Sequence, residues 1–370
     1  MLYNDTGLKQ GALILKIAIT ADNHLTTMSK NPERFQALAD IFRQCGEHQV
    51  QLLIIAGDLF DQSLANYTDF EELYRKSRPD DLATIIIPGN HDHMLRKEAL
   101  AGEGLTVYSE PTLRPLNDSR QLLLLPYRNH QSMGEGIAPF ADSLLHQRWI
   151  LVSHGDWSTS VNTHDPYERG VYMPLTRPDI KLYQPELVFL GHIHCAQNTG
   201  IIYYPGSPCP LNITETGPRE FLILDTHKGE VTSHLVNSSL VYYDESFLIV
   251  PGTNELEFLQ DEIHKRIHAW NLPDGWEDRV QVRIRVYGSS STSRNEIKGL
   301  IERSFAPYKL YKDQAPALDQ LIFSLDEDKA EIAIQIQGWI EALEWDAGPD
   351  KPDKTFILQE ALKIIYQARK

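Results

Sequence analysis

The sequence predicts an α/β protein in which short buried strands alternate with helices. Three observations carry this. Apolar runs recur at Leu15 to Thr20, Gln51 to Ala56, Ala83 to Pro88, Gln121 to Pro126, Trp149 to Ser153 and Glu186 to Leu190. They are apolar throughout rather than alternating, which suits strands covered on both faces. Between the first two, Phe35, Leu38, Ala39, Phe42 and Cys45 fall on one helical stripe, with Pro32 where a first helical turn accepts proline. Finally, nearly every run ends in glycine, carboxylate, amide or imidazole, so polar chemistry collects at strand ends.

Beyond residue 200, Gly200 to Tyr204, Glu220 to Leu224 and Val231 to Val236 read as strands with few helices between them. They are expected to form a second sheet packed on the first. From about residue 240 the pattern changes. Glu255 to Trp270 is helix-like, Arg279 to Tyr287 alternates apolar and polar as a half-solvated strand, and Asn295 to Ser304 is helical. The tail carries two further stripes. One is Ile332, Ile336, Trp339, Ile340 and Leu343, interrupted by Gly338, and the other is Ile357, Ala361, Ile364, Ile365 and Ala368. A polar, proline-containing linker, DAGPDKPDK, separates them. The division expected is 1–240, 241–312 and 313–370.

Bulk properties narrow the function. With 35 basic and 51 acidic residues the net charge is −16, so the chain is not built to grip nucleic acid by general electrostatics. No apolar run approaches the length of a membrane span. The first residues lack the pattern of a secretory signal, and three scattered cysteines imply no disulfide framework. A cytoplasmic setting is the expectation.

The strand ends carry the chemistry. Asp22 and His24 follow the first run and Gly57-Asp58 the second. Gly89-Asn90-His91-Asp92 follows the third, His154-Gly155-Asp156 a fourth, and Gly191-His192-Ile193-His194 a fifth. In an open α/β sheet such ends meet at one rim. Alone, a Gly-Asp is commonly a turn and a Gly-His-x-His a pair of surface histidines. Together, Asp22, His24, Asp58, Asn90, His154, His192 and His194 are too many ligands for one ion and enough for two if one carboxylate bridges. Oxygen and imidazole donors without thiolate suit Mn²⁺, Fe or Zn²⁺. Two such ions clamp attacking and leaving oxygens in displacement at phosphorus. An imidazole held off the metals would steady the phosphoryl charge or protonate the departing oxygen.

In this order, DNH, GDLFD, GNHD, SHG and GHIH resemble the calcineurin-like metallophosphoesterase superfamily. GDLFD and YYPGSPCPLNITETGPREFLILD narrow the resemblance to the nuclease subunits of double-strand-break repair complexes, the bacterial SbcD type, over about residues 14 to 236. The resemblance implies a four-layer α/β/β/α sandwich with a small α+β capping domain and C-terminal helices. It implies two divalent ions, Mn²⁺ foremost, with Asp22, His24 and His194 on the first and Asn90, His154 and His192 on the second. Asp58 would bridge them. His91 would be the unligated catalytic imidazole and Asp92 its orienting partner, with Gly206, Ser207 and Asp61 close to substrate. The activity implied is DNA exonuclease and endonuclease cleavage beside an SbcC-like coiled-coil ATPase of the ABC type, and a homodimer is usual among such relatives.

Some residues depart from the pattern or stand outside it. Thr26 follows Leu25 where nuclease members usually have glycine. His93 has no family role. His164 and Asp165 fall in a long loop. Arg96, Lys97, Arg128, Arg169 and Arg177 are basic positions within reach of a DNA substrate, each individually read as a solvated charge. The alternative function is a phosphodiesterase or phosphatase for small phosphate esters such as cyclic nucleotides. A metal-binding scaffold is a third reading, which gives His91 no purpose.

Overall fold

The computed structural model describes residues 16–61, 67–117, 120–158, 170–252, 254–345 and 351–367. Leu15, His164, Asp165, Arg169, Ala368 and residues 346–350 of the linker, all named above, lie outside these. The chain forms two compact units. The first runs through residue 211 and takes in 218–239, and the second takes in 212–217 and continues from 240.

Two six-stranded sheets make the first unit. In one, Lys16–Thr20, Leu52–Ala56, Ala83–Ile87 and Leu105–Val107 run parallel, with Ile19 beside Ile54 and Ala56 beside Ile87. In the other, Arg120–Leu125, Arg148–His154, Leu187–Gly191 and Ile202–Tyr204 are parallel, and Thr112–Asn117 and Gln197–Asn198 close its edges antiparallel. Alternate residues along each strand explain why the runs are wholly apolar. Ile17, Ile19, Ile54 and Ile85 meet Leu122, Leu124, Ile150 and Phe189 between the sheets. Ala18, Leu53, Ile55 and Ile86 point the other way, onto Phe35, Leu38, Phe42 and Phe70 of helices Pro32–Glu47 and Tyr67–Ser77. On the far side, Leu123, Leu151 and Leu190 are covered by Met133, Ile137 and Ile180, from helices Met133–Ile137 and Arg177–Tyr183. This is the α/β/β/α sandwich. Each fully buried Ile or Leu stabilises it by about 1.5–3 kcal/mol.

The strands after residue 200 are not all where the sequence places them. Ile202–Tyr204 joins the second sheet. Glu220–Asp225 instead pairs antiparallel with Lys16–Thr20, and Glu230–Leu235 lies outside it, so both extend the first sheet. The second sheet is built from residues 112 to 204.

In the second unit, Val241–Ile249, Val280–Ser290, Lys309–Leu310 and Ala317–Phe323 form a parallel sheet. The last of these strands lies beyond residue 312, so this sheet draws on both of the regions expected after 240. Helices Glu255–Ala269 and Arg294–Ser304 cover it through Leu259, Ile263, Ile297 and Ile301. Helices Glu327–Ala342 and Lys354–Gln367 pair through Ala333, Ile340, Leu358 and Leu362. The expected stripe is only partly buried: Ile340 packs inward and Ile336 partly so, while Trp339 is 69% exposed and Ile332 47%. Among the described residues no helix is long and apolar enough to cross a membrane.

Candidate metal centre

The ligand-bearing loops leave the strands at one level because the strands are in register. Gly191 lies beside His154 across the second sheet. In the first sheet, Asp22 N–H donates to Gly57 O (3.1 Å), His24 N–H to Asp58 O (2.9 Å) and Leu25 N–H to Leu59 O (2.8 Å), which zips two loops together. Asp22, His24, Asp58 and His192 all adopt left-handed backbone, with φ of +54°, +45°, +51° and +99°. Such conformations cost of order 1–3 kcal/mol per residue and persist where surrounding structure enforces them. Two glycines make room. A Cβ on Gly57 would stand 2.0 Å from His154 Nδ1, and one on Gly89 would stand 2.2 Å from Asp58 Oδ1.

Three groups of ligand atoms lie within 4.8 Å of one another: Asp22, His24 and His194; His24, Asp58 and His91; and Asp22, Asp58 and His154. Asp58 Oδ2 is 3.3 Å from His154 Nε2 and 3.6 Å from His24 Nε2, so it stands between the histidines of two groups. Asp22 also belongs to two groups. Asn90 Oδ1 is 2.7 Å from His154 Nε2, while His154 Nδ1 is 3.0 Å from Ala56 O. That contact fixes the ring and turns Nε2 to the centre, as metal-binding histidines require. His192 is held by its backbone, which donates to Asp22 Oδ1 (2.9 Å). Its ring lies against Tyr172 with Nε2 3.7 Å from Asp156 Oδ1, outside the three groups.

His91 is half-buried. Its ring meets His24 edge-on at 4.7 Å, and its backbone N–H donates to Asp58 Oδ1 (2.9 Å). It sits within ligand reach of His24 and Asp58, closer to the centre than an imidazole held wholly apart. The Asp92 carboxylate accepts N–H bonds from Gly89 (2.7 Å) and Phe60 (3.2 Å). Through these it braces the turn that carries His91. Gly206 and Ser207 pack against the backbone of residues 194–196, and Ser207 is fully buried. Asp61 is partly exposed, its carboxylate 3.9 Å from Arg34. His93 is exposed on the rim.

Electrostatics favour a cation here. Burial pushes Asp22 up to about 6 against the pull of His154 and His194. Burial, helped by the Asp58 charge, pushes Asp92 up to about 7. Burial would raise Asp58 too, but His154, by charge and hydrogen bond, and His24 bring it below the ordinary carboxylate range. For His154, burial opposes charge, yet Asp58 and Asp22 outweigh it and carry the imidazole up to about 10. Burial holds His24 well below the usual imidazole range, and its Nε2 is buried with no hydrogen-bond partner. A buried ligand carboxylate reluctant to ionise, as Asp22 is, and a neutral imidazole with an idle lone pair are surroundings that divalent cations relieve. The residues present fit two such ions.

Asp156, Tyr172, Arg34 and Arg219 are absent from the expected site yet touch it. Asp156 is buried, and its carboxylate accepts the Tyr172 N–H (2.6 Å). Its place directly after Ser-His-Gly was the one signal in the sequence. Arg219 falls inside the segment YYPGSPCPLNITETGPREFLILD, but nothing there marks its role, and nothing local marks Arg34.

Residues 15–196 match the calcineurin-like phosphoesterase family model. Through this stretch the chain is similar to the calcineurin-like metallophosphoesterases, hydrolases that cleave phosphoesters at a metal site. No curated protein is significantly similar in sequence. Solved structures that match the chain include a protein from Thermus thermophilus (13% identity, 60% of this chain and 100% of that one, TM-score 0.40). Others are an archaeal phosphodiesterase (17%, 60% and 99%, 0.33) and a dimetal phosphatase from Danio rerio (11%, 63% and 100%, 0.38).

Proposed function

We propose that this chain is a metallophosphoesterase of a particular kind, a Mn²⁺-dependent DNA nuclease, cutting phosphodiesters as exonuclease and endonuclease alongside a coiled-coil ATPase of the ABC type. The observation that carries the reading is the second unit. Beyond a complete hydrolase sandwich it adds a covered sheet and a helical pair with large apolar side chains in solvent, Trp339 (69% exposed), Ile364 (71%) and Phe356 (52%), with Leu325 (84%) just ahead of the first helix. Hydrolysis of a small phosphoester needs none of these, whereas a docking surface does. The charge agrees. The net charge is −16, Arg128 is paired to Glu110, and Arg96 is spent on the carbonyls of His93 and Leu95. A nuclease with this charge balance borrows its DNA affinity from a partner.

Bound divalent ions supply stabilisation of charge on the phosphoryl oxygens and activation of the attacking water. The chain does the rest. Asp58 and Asp22 draw the histidine pairs together, Ala56 and Asn90 aim His154, and the turn braced by Asp92 presents His91. From there the His91 imidazole holds the proton that the departing oxygen takes up.

The test is cleavage of linear duplex DNA by the purified chain with Mn²⁺, alone and with the ATPase, against turnover of a small phosphodiester. Duplex cleavage lost in Asp58→Ala supports the reading. Rapid small-diester turnover without duplex cleavage, even with the ATPase, transfers the assignment to the small-ester phosphodiesterase.

A further inference from the structure

Two arginines lie behind one group of ligands, and the chemistry above gives them no part. Arg34 Nη1 donates to the carbonyl oxygen of His24 (2.5 Å). Arg219, itself buried, donates through Nη2 to the carbonyl of His194 and to Ser207 Oγ (2.9 Å), and through Nε to Ser207 O (2.9 Å). Ser207 N–H donates to the same His194 carbonyl (3.1 Å). Gly206, at φ +73°, lets this loop lie flat on its neighbour. A Cβ there would stand 2.7 Å from His194 O and 2.8 Å from Ala196 N.

We propose that Arg219 is a positioning residue for the ion held by Asp22, His24 and His194. The proposal rests on reading the site as a two-ion centre. Arg219 precedes Glu220–Asp225, the strand paired with Lys16–Thr20, while His194 follows Leu187–Gly191 of the other sheet. One guanidinium therefore ties a ligand carried by the second sheet to the sheet that carries Asp22 and His24. A charged donor on a carbonyl is about twice as strong as a neutral one. Its fork spans acceptors on two residues, which a lysine ammonium cannot reproduce. Arg34 serves His24 in the same way. The other group is fixed differently, since His154 is held through its own ring on Ala56 O. The two ions must then respond unequally to loss of Arg219.

The test is Mn²⁺ titration of the full chain and of Arg219→Met and Arg219→Lys, counting bound ions after equilibrium dialysis and following the spin-coupled manganese pair by EPR. In Arg219→Met, one ion binds as in the wild type and the other about 10–100-fold more weakly, the usual cost of removing such support. The coupled signal disappears at stoichiometric Mn²⁺ and returns in excess. Arg219→Lys falls between. Unchanged affinity at both sites overturns the proposal, as does equal weakening of both with a native circular dichroism spectrum. If Arg219→Met does not fold, the same criteria are applied to Arg219→Lys. A wild-type chain that binds no Mn²⁺ refutes the two-ion centre itself, a failure distinct from one confined to the variants.

Discussion

Gly89→Ala isolates the geometry of the centre from its chemistry, because it removes no ligand. The new Cβ would stand 2.2 Å from Asp58 Oδ1 and 2.6 Å from Asp58 N. Ordinary carbon contacts begin near ~3.5 Å, so the overlap is about 1 Å on both atoms. The backbone nitrogen cannot retreat, since the loop is zipped to its neighbour through His24 N–H on Asp58 O. The carboxylate must therefore rotate, giving up the His91 N–H (2.9 Å) and its place between His24 and His154. Overpacking of this kind costs about 1–3 kcal/mol of stability. The functional loss is larger, because Asp58 belongs to two of the three ligand groups. Misplacing a reacting group by about 1 Å costs on the order of 100-fold in rate. Metal analysis after dialysis, small-phosphodiester turnover and urea unfolding measure the three consequences together. A folded variant with full metal content and wild-type turnover would refute the steric reasoning.

Three other outcomes are expected. Metal binding at pH 8 releases about one proton from His154, which sits at about 10 and so is protonated there. Asp22 (about 6), Asp92 (about 7) and the low His24 are already largely deprotonated. Calorimetry in buffers of different ionisation enthalpy counts that proton, and affinity should rise about tenfold per pH unit while His154 alone is displaced; no buffer dependence would contradict the assignment. Of the three cysteines, only exposed Cys195 reacts quickly with a thiol reagent at pH 8, because burial pushes Cys45 and Cys209 up to about 12; two or three fast equivalents in the native protein would be inconsistent with this packing. Gly338→Ala stabilises helix Glu327–Ala342 by about 0.5–1 kcal/mol, since nothing lies within 4 Å of the added methyl; denaturant unfolding that shows a loss would mean the position is not free.

Much of this architecture is written locally. Runs apolar at every position announced strands covered on both faces, and the stripe from Phe35 to Cys45 announced its helix. The metal ligands were legible because they recur at strand ends. What depended on partners far along the chain was not legible. The strands after residue 218 resemble a separate sheet until Lys16–Thr20 is seen to need a neighbour on that side. Thr112–Asn117 was obscured by Pro115, which an edge strand accepts. Val241–Ile249 alternates burial along its whole length, yet its Asp244, Glu245 and Ser246 break the apolar pattern that would mark it as a strand. Asp156, Arg34 and Arg219 show the same limit at the site. Each acts on a backbone or ring that only the fold brings near.

The left-handed backbone at Asp22, His24, Asp58 and His192 has a consequence for how this chain tolerates mutation. Four strained positions at about 1–3 kcal/mol each are a large share of a domain's net stability of roughly 5–15 kcal/mol. Glycine would relieve each of them. Substitutions that abolish the centre can thus leave a protein that folds more firmly than its active parent. Selection for solubility or heat resistance alone would drift toward inactive variants, and screens of this chain must read turnover and metal content as well as folding.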